Sequence, residues 1–478
     1  MDFVLRLRSG TNLLLSVLST FQLAFCQSKH KYSSFAYQET SLLEPLSHGT
    51  LVRQMTCAIV QNRSFDSQMA IVDIHPWTVG AVCEVLRAIP RFFFQSGRSV
   101  GRQHSFRRRA PLRQRDLGQE AEDSSNGVRL RGPAAYRDPS KVNLGLTKAL
   151  EFYSWVEVEC GFSHNEITCK EMACVLAKGN ALKKLWHFLH EMAKREGQLV
   201  NTVTLTCIIK ILGEEGLVKE ALAAFYRMKQ FHCKPDVVAY NTIIGALCRV
   251  GNFKMARFLL DQMEIPGFRC PPDTFTYTIL IGFYCKHSLQ TGCRKAIRRR
   301  IWEANHLFRH MIFKGFTPDV VTYNCLIDGL CKTYRIGRAM ELLDDMLQRG
   351  FNPNKVTYNS FIRYYSVVNE VEKAIVMMRS MELRRHGTPT SSSFTPIIHA
   401  LCEARRSTEA QDFLVEMVDR GSIPREYTYK LVCDTLALAG QASLPHELCK
   451  KIEDGISTRY KQVMRVKPVM KYKDMISQ

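Results

Sequence analysis

Val237-Val238-Ala239-Tyr240-Asn241-Thr242-Ile243-Ile244 returns as Val320-Val321-Thr322-Tyr323-Asn324-Cys325-Leu326-Ile327, and again as Lys355-Val356-Thr357-Tyr358-Asn359-Ser360-Phe361-Ile362. The phrase has a period of roughly 35 residues. Self-similarity at such a period marks stacked supersecondary units, each too small to bury its own apolar face. Other residues recur in step with it. Alanine does so at Ala221, Ala256, Ala304, Ala339, Ala374 and Ala410, and methionine at Met192, Met228, Met263, Met311, Met346, Met381 and Met417. Proline recurs just before the later boundaries, at Pro235, Pro272, Pro318, Pro353, Pro389 and Pro424.

One unit shows what the pattern means. Tyr323, Leu326, Ile327 and Leu330 are spaced along one face of a helix. A polar turn follows Lys332, and Ala339, Leu342, Leu343 and Met346 then mark a second apolar face. The small alanine allows two helices to approach closely. Gly350 is suited to close the second helix, and Pro353 stops it. The expected fold is therefore all-α, a superhelical solenoid of stacked helical hairpins. Aligned on the tyrosine phrase, seven units run 166–201, 202–236, 237–273, 274–319, 320–354, 355–390 and 391–425. A capping half-unit occupies 141–165, and a partial unit with a basic tail fills 426–478.

Composition narrows the partner. The 478 residues carry a formal net charge of +21, which favours phosphate-rich partners through counterion release. None of the 17 cysteines forms a C-x-x-C pair, so a zinc ribbon or thioredoxin-like site has no support. Cys248, Cys285, Cys331 and Cys402 share one repeat position and read as small buried side chains in a reducing compartment. Residues 1–38 contain one acid, Asp2, against Arg6, Arg8, Lys29 and Lys31, as in an organelle transit peptide. The apolar stretch Leu13 to Cys26 also resembles a secretory core, which the many unpaired cysteines disfavour. The region 39–140 is expected to be basic and largely irregular, with arginines and phenylalanines interleaved between Arg87 and Arg115. That arm would contact RNA or serve only solubility and import.

These recurring residues resemble the pentatricopeptide repeat family of plant organelles, in its plain class of near-35-residue units. The resemblance spans roughly 141 to 465, and it implies a right-handed superhelix. The Trp-Leu-Gly signature of tetratricopeptide repeats is absent. His164-Asn165-Glu166 matches the first half of a zinc deaminase signature, but the required P-C-x-x-C is missing. No constellation for catalysis, metal or cofactor emerges, so a non-enzymatic role is expected.

The resemblance implies that each repeat reads one base of single-stranded RNA. In the family, the fifth and last residues of a unit select the base and an apolar second residue flanks it. Carried onto this chain, the selecting pairs are Thr206 with Asp236 (G), Asn241 with Asp273 (U), Thr278 with Asp319 (G), Asn324 with Asn354 and Asn359 with Thr390 (both pyrimidines). The flanking residues are Val203, Val238, Phe275, Val321 and Val356. The implied core footprint is 5′-G-U-G-Y-Y-3′, Y being a pyrimidine. Lys170 and Lys430 replace the fifth residue in their units, and the unit at 391 offers Thr395, Arg425 and Ser392. The last-position residues also fit as helix caps. Asn241, Asn324 and Asn359 sit mid-helix, where asparagine is a poor former, and invite a functional reason. The tyrosines are expected in the core.

The unit at 274 is about eleven residues longer than its neighbours. The addition near 287–301 carries Arg294, Lys295, Arg298, Arg299 and Arg300, expected to form a loop that touches phosphate or docks a partner. The alternatives to RNA reading are a protein-binding scaffold, or a subunit of an organellar RNA-processing or ribosomal complex. The chain is expected to be monomeric and free of membrane, in the mitochondrion or else the chloroplast.

Overall fold

A computed structural model describes residues 45–63, 65, 77–95, 137–195, 199–288, 293–441 and 444–466. Residues 1–38, expected to be a transit peptide, and Arg98 to Arg113 of the basic arm lie outside the described residues. Nineteen α-helices, one 3-10 helix and no β-strand occur among the described residues.

Eight consecutive helix pairs start at Glu166. They are α4 (Glu166–Lys178) with α5 (Leu182–Lys194), α6 (Thr202–Glu214) with α7 (Val218–Arg227), α8 (Val237–Arg249) with α9 (Phe253–Met263), and α10 (Thr274–Ser288) with α11 (Arg294–Phe313). Then come α12 (Val320–Lys332) with α13 (Ile336–Gln348), α14 (Lys355–Val367) with α15 (Val371–Leu383), α16 (Ser391–Glu403) with α17 (Ser407–Asp419), and α18 (Glu426–Leu438) with α19 (His446–Val466). Each first helix from α4 to α16 packs on its own second helix and on the first helix of the next unit. The first helices therefore form one layer and the second helices another.

The periodic residues fill the space between layers. All six recurring alanines are fully buried, as are Met228, Met311, Met346, Met381 and Met417. Cys248, Cys285, Cys331 and Cys402 are buried too, and none of the described cysteines is in a disulfide. Burying each such leucine- or methionine-sized side chain contributes roughly 1.5–3 kcal/mol. The tyrosines Tyr240, Tyr277, Tyr323 and Tyr358 are core residues, as their spacing predicts. Tyr277 and Tyr323 donate their hydroxyls to Glu264 (2.8 Å) and Asp345 (2.6 Å) on neighbouring second helices. Burial pushes both phenols well above their ordinary range.

Small residues set how closely the first helices stack. A Cβ on Gly213 would sit 2.6 Å from the Ala246 Cβ, and one on Gly329 would sit 2.8 Å from the Cys285 Cβ and Sγ. Second helices end as Gly350 does, with φ at 79°. Its N–H reaches the Leu347 carbonyl (2.9 Å), and the Phe351 N–H reaches that of Met346 (3.0 Å), which satisfies two orphan carbonyls.

Three sequence expectations need correction. The stretch 39–140 is not largely irregular where it is described, because it contains α1 (Pro45–Val60) and α2 (Val79–Phe93). Val82, Val85, Leu86 and Ile89 of α2 are buried, at the spacing of one helix face. α2 packs on α4 as a first helix does, and α3 (Pro139–Val158) takes the second-helix place beside it. The half-unit at 141–165 is thus the second half of a hairpin whose first half lies at 79–93. At the other end, the partial unit holds two helices, α18 and α19, with Val432, Leu436 and Ile452 buried. Finally, Arg294 to Arg300 do not form a loop. They are the first seven residues of α11, which has 20 residues where α13, α15 and α17 each have 13. Alanine and five Lys/Arg side chains are strong helix formers, and neither glycine nor proline interrupts them.

Candidate nucleic-acid interface

The first helices from α4 to α16 open on a polar cap, whereas α18 follows Arg425, which makes no side-chain cap bond. Asp236 Oδ1 accepts the Ala239 N–H (2.7 Å), Asp273 Oδ1 that of Thr276 (2.7 Å), and Asp319 Oδ1 that of Thr322 (2.7 Å). Asn354 Oδ1 accepts from Val356 and Thr357, and Thr390 forms a capping box with Ser393. The last residue of a unit is therefore the first cap of the next. A carboxylate or carboxamide oxygen has further acceptor capacity, so capping leaves it able to meet a base.

The second and fifth residues of each first helix are three apart and share a face. Val203, Val238, Phe275 and Val356 are 59%, 61%, 45% and 43% exposed. Val321 is half-buried. The polar fifth residues lie deeper: Asn241, Thr278 and Asn359 are buried, and Thr206 and Asn324 half-buried. An apolar rim thus stands beside a recessed polar row.

The fifth and last residues of a unit, the pair expected to select a base, meet directly in two cases. Asn241 Nδ2 donates to Asp273 Oδ1 (3.2 Å), and Asn324 Nδ2 donates to Asn354 Oδ1 (3.3 Å). In two others they meet through a hydroxyl. The Thr278 and Thr322 hydroxyls are 2.6 Å apart, and Thr322 Oγ1 donates to Asp319 Oδ1 (2.7 Å). Ser393 Oγ donates to Asn359 Oδ1 (2.7 Å) and also joins the Thr390 cap. Thr206 instead donates back to the Thr202 carbonyl (2.8 Å), while Asp236 caps the next helix.

These contacts supply a packing reason for the mid-helix asparagines, beside the functional one. They also expose a row that sequence reasoning passed over. Thr204, Thr276, Thr322, Thr357, Ser393 and Thr428, the third residues of their helices, are all buried and link one unit to the next. The signal was present, because Thr276, Thr322, Thr357 and Thr428 each immediately precede a tyrosine. One acceptor is left over: Asn241 Oδ1 is buried with no hydrogen-bond partner. A buried unpaired acceptor costs about 1–3 kcal/mol.

The cationic residues divide. Lys430 pairs with Glu426 (2.7 Å) within its own helix, and Lys170 lies 3.9 Å from Glu171. Arg300 turns inward, donating to the His287 carbonyl and lying over the Phe253 ring at 5.8 Å. Burial pulls its guanidinium below the ordinary value. Arg294, Lys295, Arg298 and Arg299 remain exposed.

Fold and row together define an α-helical repeat solenoid with a periodic polar ladder on its first-helix layer. Models of the PPR repeat family match residues 235–286, 296–332 and 318–365. A pentatricopeptide repeat domain model matches 188–249, and a PPR repeat model matches 356–386 and 392–422. The gap between 286 and 296 ends two residues into α11. The Arabidopsis thaliana pentatricopeptide repeat-containing protein At1g77405 is 61% identical over 430 residues, covering 89% of this chain and 94% of that protein. The chain belongs to the pentatricopeptide repeat family. Another Arabidopsis thaliana relative, pentatricopeptide repeat-containing protein At1g80550, mitochondrial, is 28% identical over 194 residues, covering 41% of each chain. The crystal structure of the pentatricopeptide repeat protein PPR10 in complex with an 18-nt psaJ RNA element aligns with a TM-score of 0.34 and 19% identity, over 71% of this chain and 61% of that one.

Proposed function

We propose that the chain binds single-stranded RNA sequence-specifically, reading one base per repeat, and acts in the RNA metabolism of an organelle. The observation that carries this reading is the register of the first-helix layer. At successive units an apolar side chain, exposed in four and half-buried in one, stands one turn from a recessed Thr or Asn, which is tied in four of five units to the polar cap that follows. Flat apolar base faces fit against the first group, and Watson–Crick edges fit the donors and acceptors of the second. The unpaired Asn241 Oδ1 suits the N3–H of uracil, the base assigned to that unit.

Binding energy would combine these contacts with counterion release by a chain of net charge +21. The bound protein would act by occupying its site, blocking nucleases, keeping RNA unfolded, or guiding processing, splicing or translation. The mitochondrion is the favoured compartment, supported by relatives named mitochondrial, with the chloroplast as the alternative. Imaging a full-length fluorescent fusion against organelle markers decides between them.

Selection of bound sequences from a random RNA pool tests the reading. The full chain is the right reagent, because α1 and α2 are packed into the stack. Enrichment of G-U-G-Y-Y is expected. Retention of no RNA, with capture of a protein partner instead, would establish the scaffold reading.

A further inference from the structure

The longer α11 builds something the other units lack. Its seven additional residues form about two turns ahead of the register at which α13 begins. Arg298 on these turns joins Trp302, Asn305 and Arg309 farther along α11, and Arg335 and Arg338 of the next unit, around one open cavity of about 340 Å³. The cavity lies among second helices, whereas the base-reading row lies on first helices.

We propose that this cavity is a separate nucleotide-binding site, with the base on Trp302 and the phosphates on the arginines. Arg338 forms an ion pair with Glu341. Arg298, Arg309 and Arg335 have no carboxylate partner among the described residues. Three uncompensated guanidinium groups around one cavity repel each other and concentrate anions there. Their planar forks match phosphate oxygens in paired hydrogen bonds.

Trp302 distinguishes a nucleotide from a simple anion. It is 54% exposed although tryptophan is usually well covered. His306 stacks beside it, with ring centroids 5.2 Å apart and planes at 25°, which orients the indole as a platform. An indole beside arginines is the arrangement that holds an unpaired base and its phosphates. The volume is within the usual range for small-ligand sites, about 300–1,000 Å³.

The test uses the full chain, with ADP as the free-nucleotide probe and a short unstructured RNA as the strand probe. Tryptophan fluorescence reports on the site, because Trp77 and Trp155 are buried and Trp186 is covered by Arg227 at 4.5 Å. Quenching is expected with wild type and not with Trp302→Leu. Arg298→Gln and Arg335→Gln should each weaken binding about tenfold, without altering the base preference of the reading row. Quenching by ADP marks a free-nucleotide site, and quenching by RNA alone marks a second contact on the bound strand. No quenching by either probe overturns the proposal, as does equal quenching by a polyglutamate peptide. Neither of these failures touches the reading row, whose preference is measured separately by selection. Trp302 and Arg298 are exposed and Arg335 is half-buried, and circular dichroism checks that all three variants fold.

Discussion

Asn241 and Asp273, 32 residues apart in the chain, are joined by a hydrogen bond of 3.2 Å from the Asn241 carboxamide to the Asp273 carboxylate. The same Asp273 oxygen accepts the Thr276 backbone N–H and hydroxyl, both at 2.7 Å. One carboxylate thus starts a helix, fastens two units together and completes a pair proposed to select a base.

The two roles of Asp273 separate by substitution. Asp273→Ala removes the cap and should cost about 1–2 kcal/mol, seen as a lower midpoint in urea denaturation. Asp273→Asn keeps a good cap and should change stability by less than about 0.5 kcal/mol. In bound-sequence selection it should relax the assigned U to either pyrimidine. An unchanged U preference in Asp273→Asn would mean that the residue is a cap alone.

Phe275 is 45% exposed at the flanking position of its unit. Phe275→Ala should therefore alter stability only slightly. Its loss from an RNA complex should cost about 1–3 kcal/mol, as for other base–aromatic contacts. Fluorescence-anisotropy titration measures this as a roughly five- to hundredfold rise in Kd. Wild-type affinity in a folded Phe275→Ala protein would remove the apolar rim from the binding account.

Close stacking of first helices predicts a compensating pair. Gly213→Ala places a methyl 2.6 Å from the Ala246 Cβ, and such overpacking costs about 1–3 kcal/mol. Ala246→Gly in the same chain should recover most of that loss, although glycine in a helix itself costs about 1 kcal/mol. Denaturation of both single variants and the double variant gives the coupling. Additive effects would show that the helices separate freely at this contact.

How far the sequence led depended on what repeats. Tyr323, Ala339 and Met346 were legible because every unit buries the same three points. The hydrogen bond that Thr357 Oγ1 donates to Asn324 Oδ1 (2.6 Å) was not, since hydrogen bonding between units leaves no hydrophobic period. Helix α2 carries its apolar face at Val82, Val85, Leu86 and Ile89. It lacks the tyrosine phrase and contains Pro90, so phrase alignment missed it although its spacing was readable. Arg294 to Arg300 read as a loop because charge was abundant and no apolar stripe was expected there. They are helical because propensity favours it and because the buried face at Ile301 continues the same helix.

The assigned footprint depends most on the fifth residue of each unit. Asn241→Thr introduces the side chain found at Thr206 and Thr278, in a protein whose fold is expected to be unchanged by circular dichroism. Parallel selection from one random RNA pool, with wild type and Asn241→Thr, is the most direct measurement. The account predicts that the second base of the enriched core moves from U to G while the other positions stay as they were. The same enriched sequence from both proteins would contradict it.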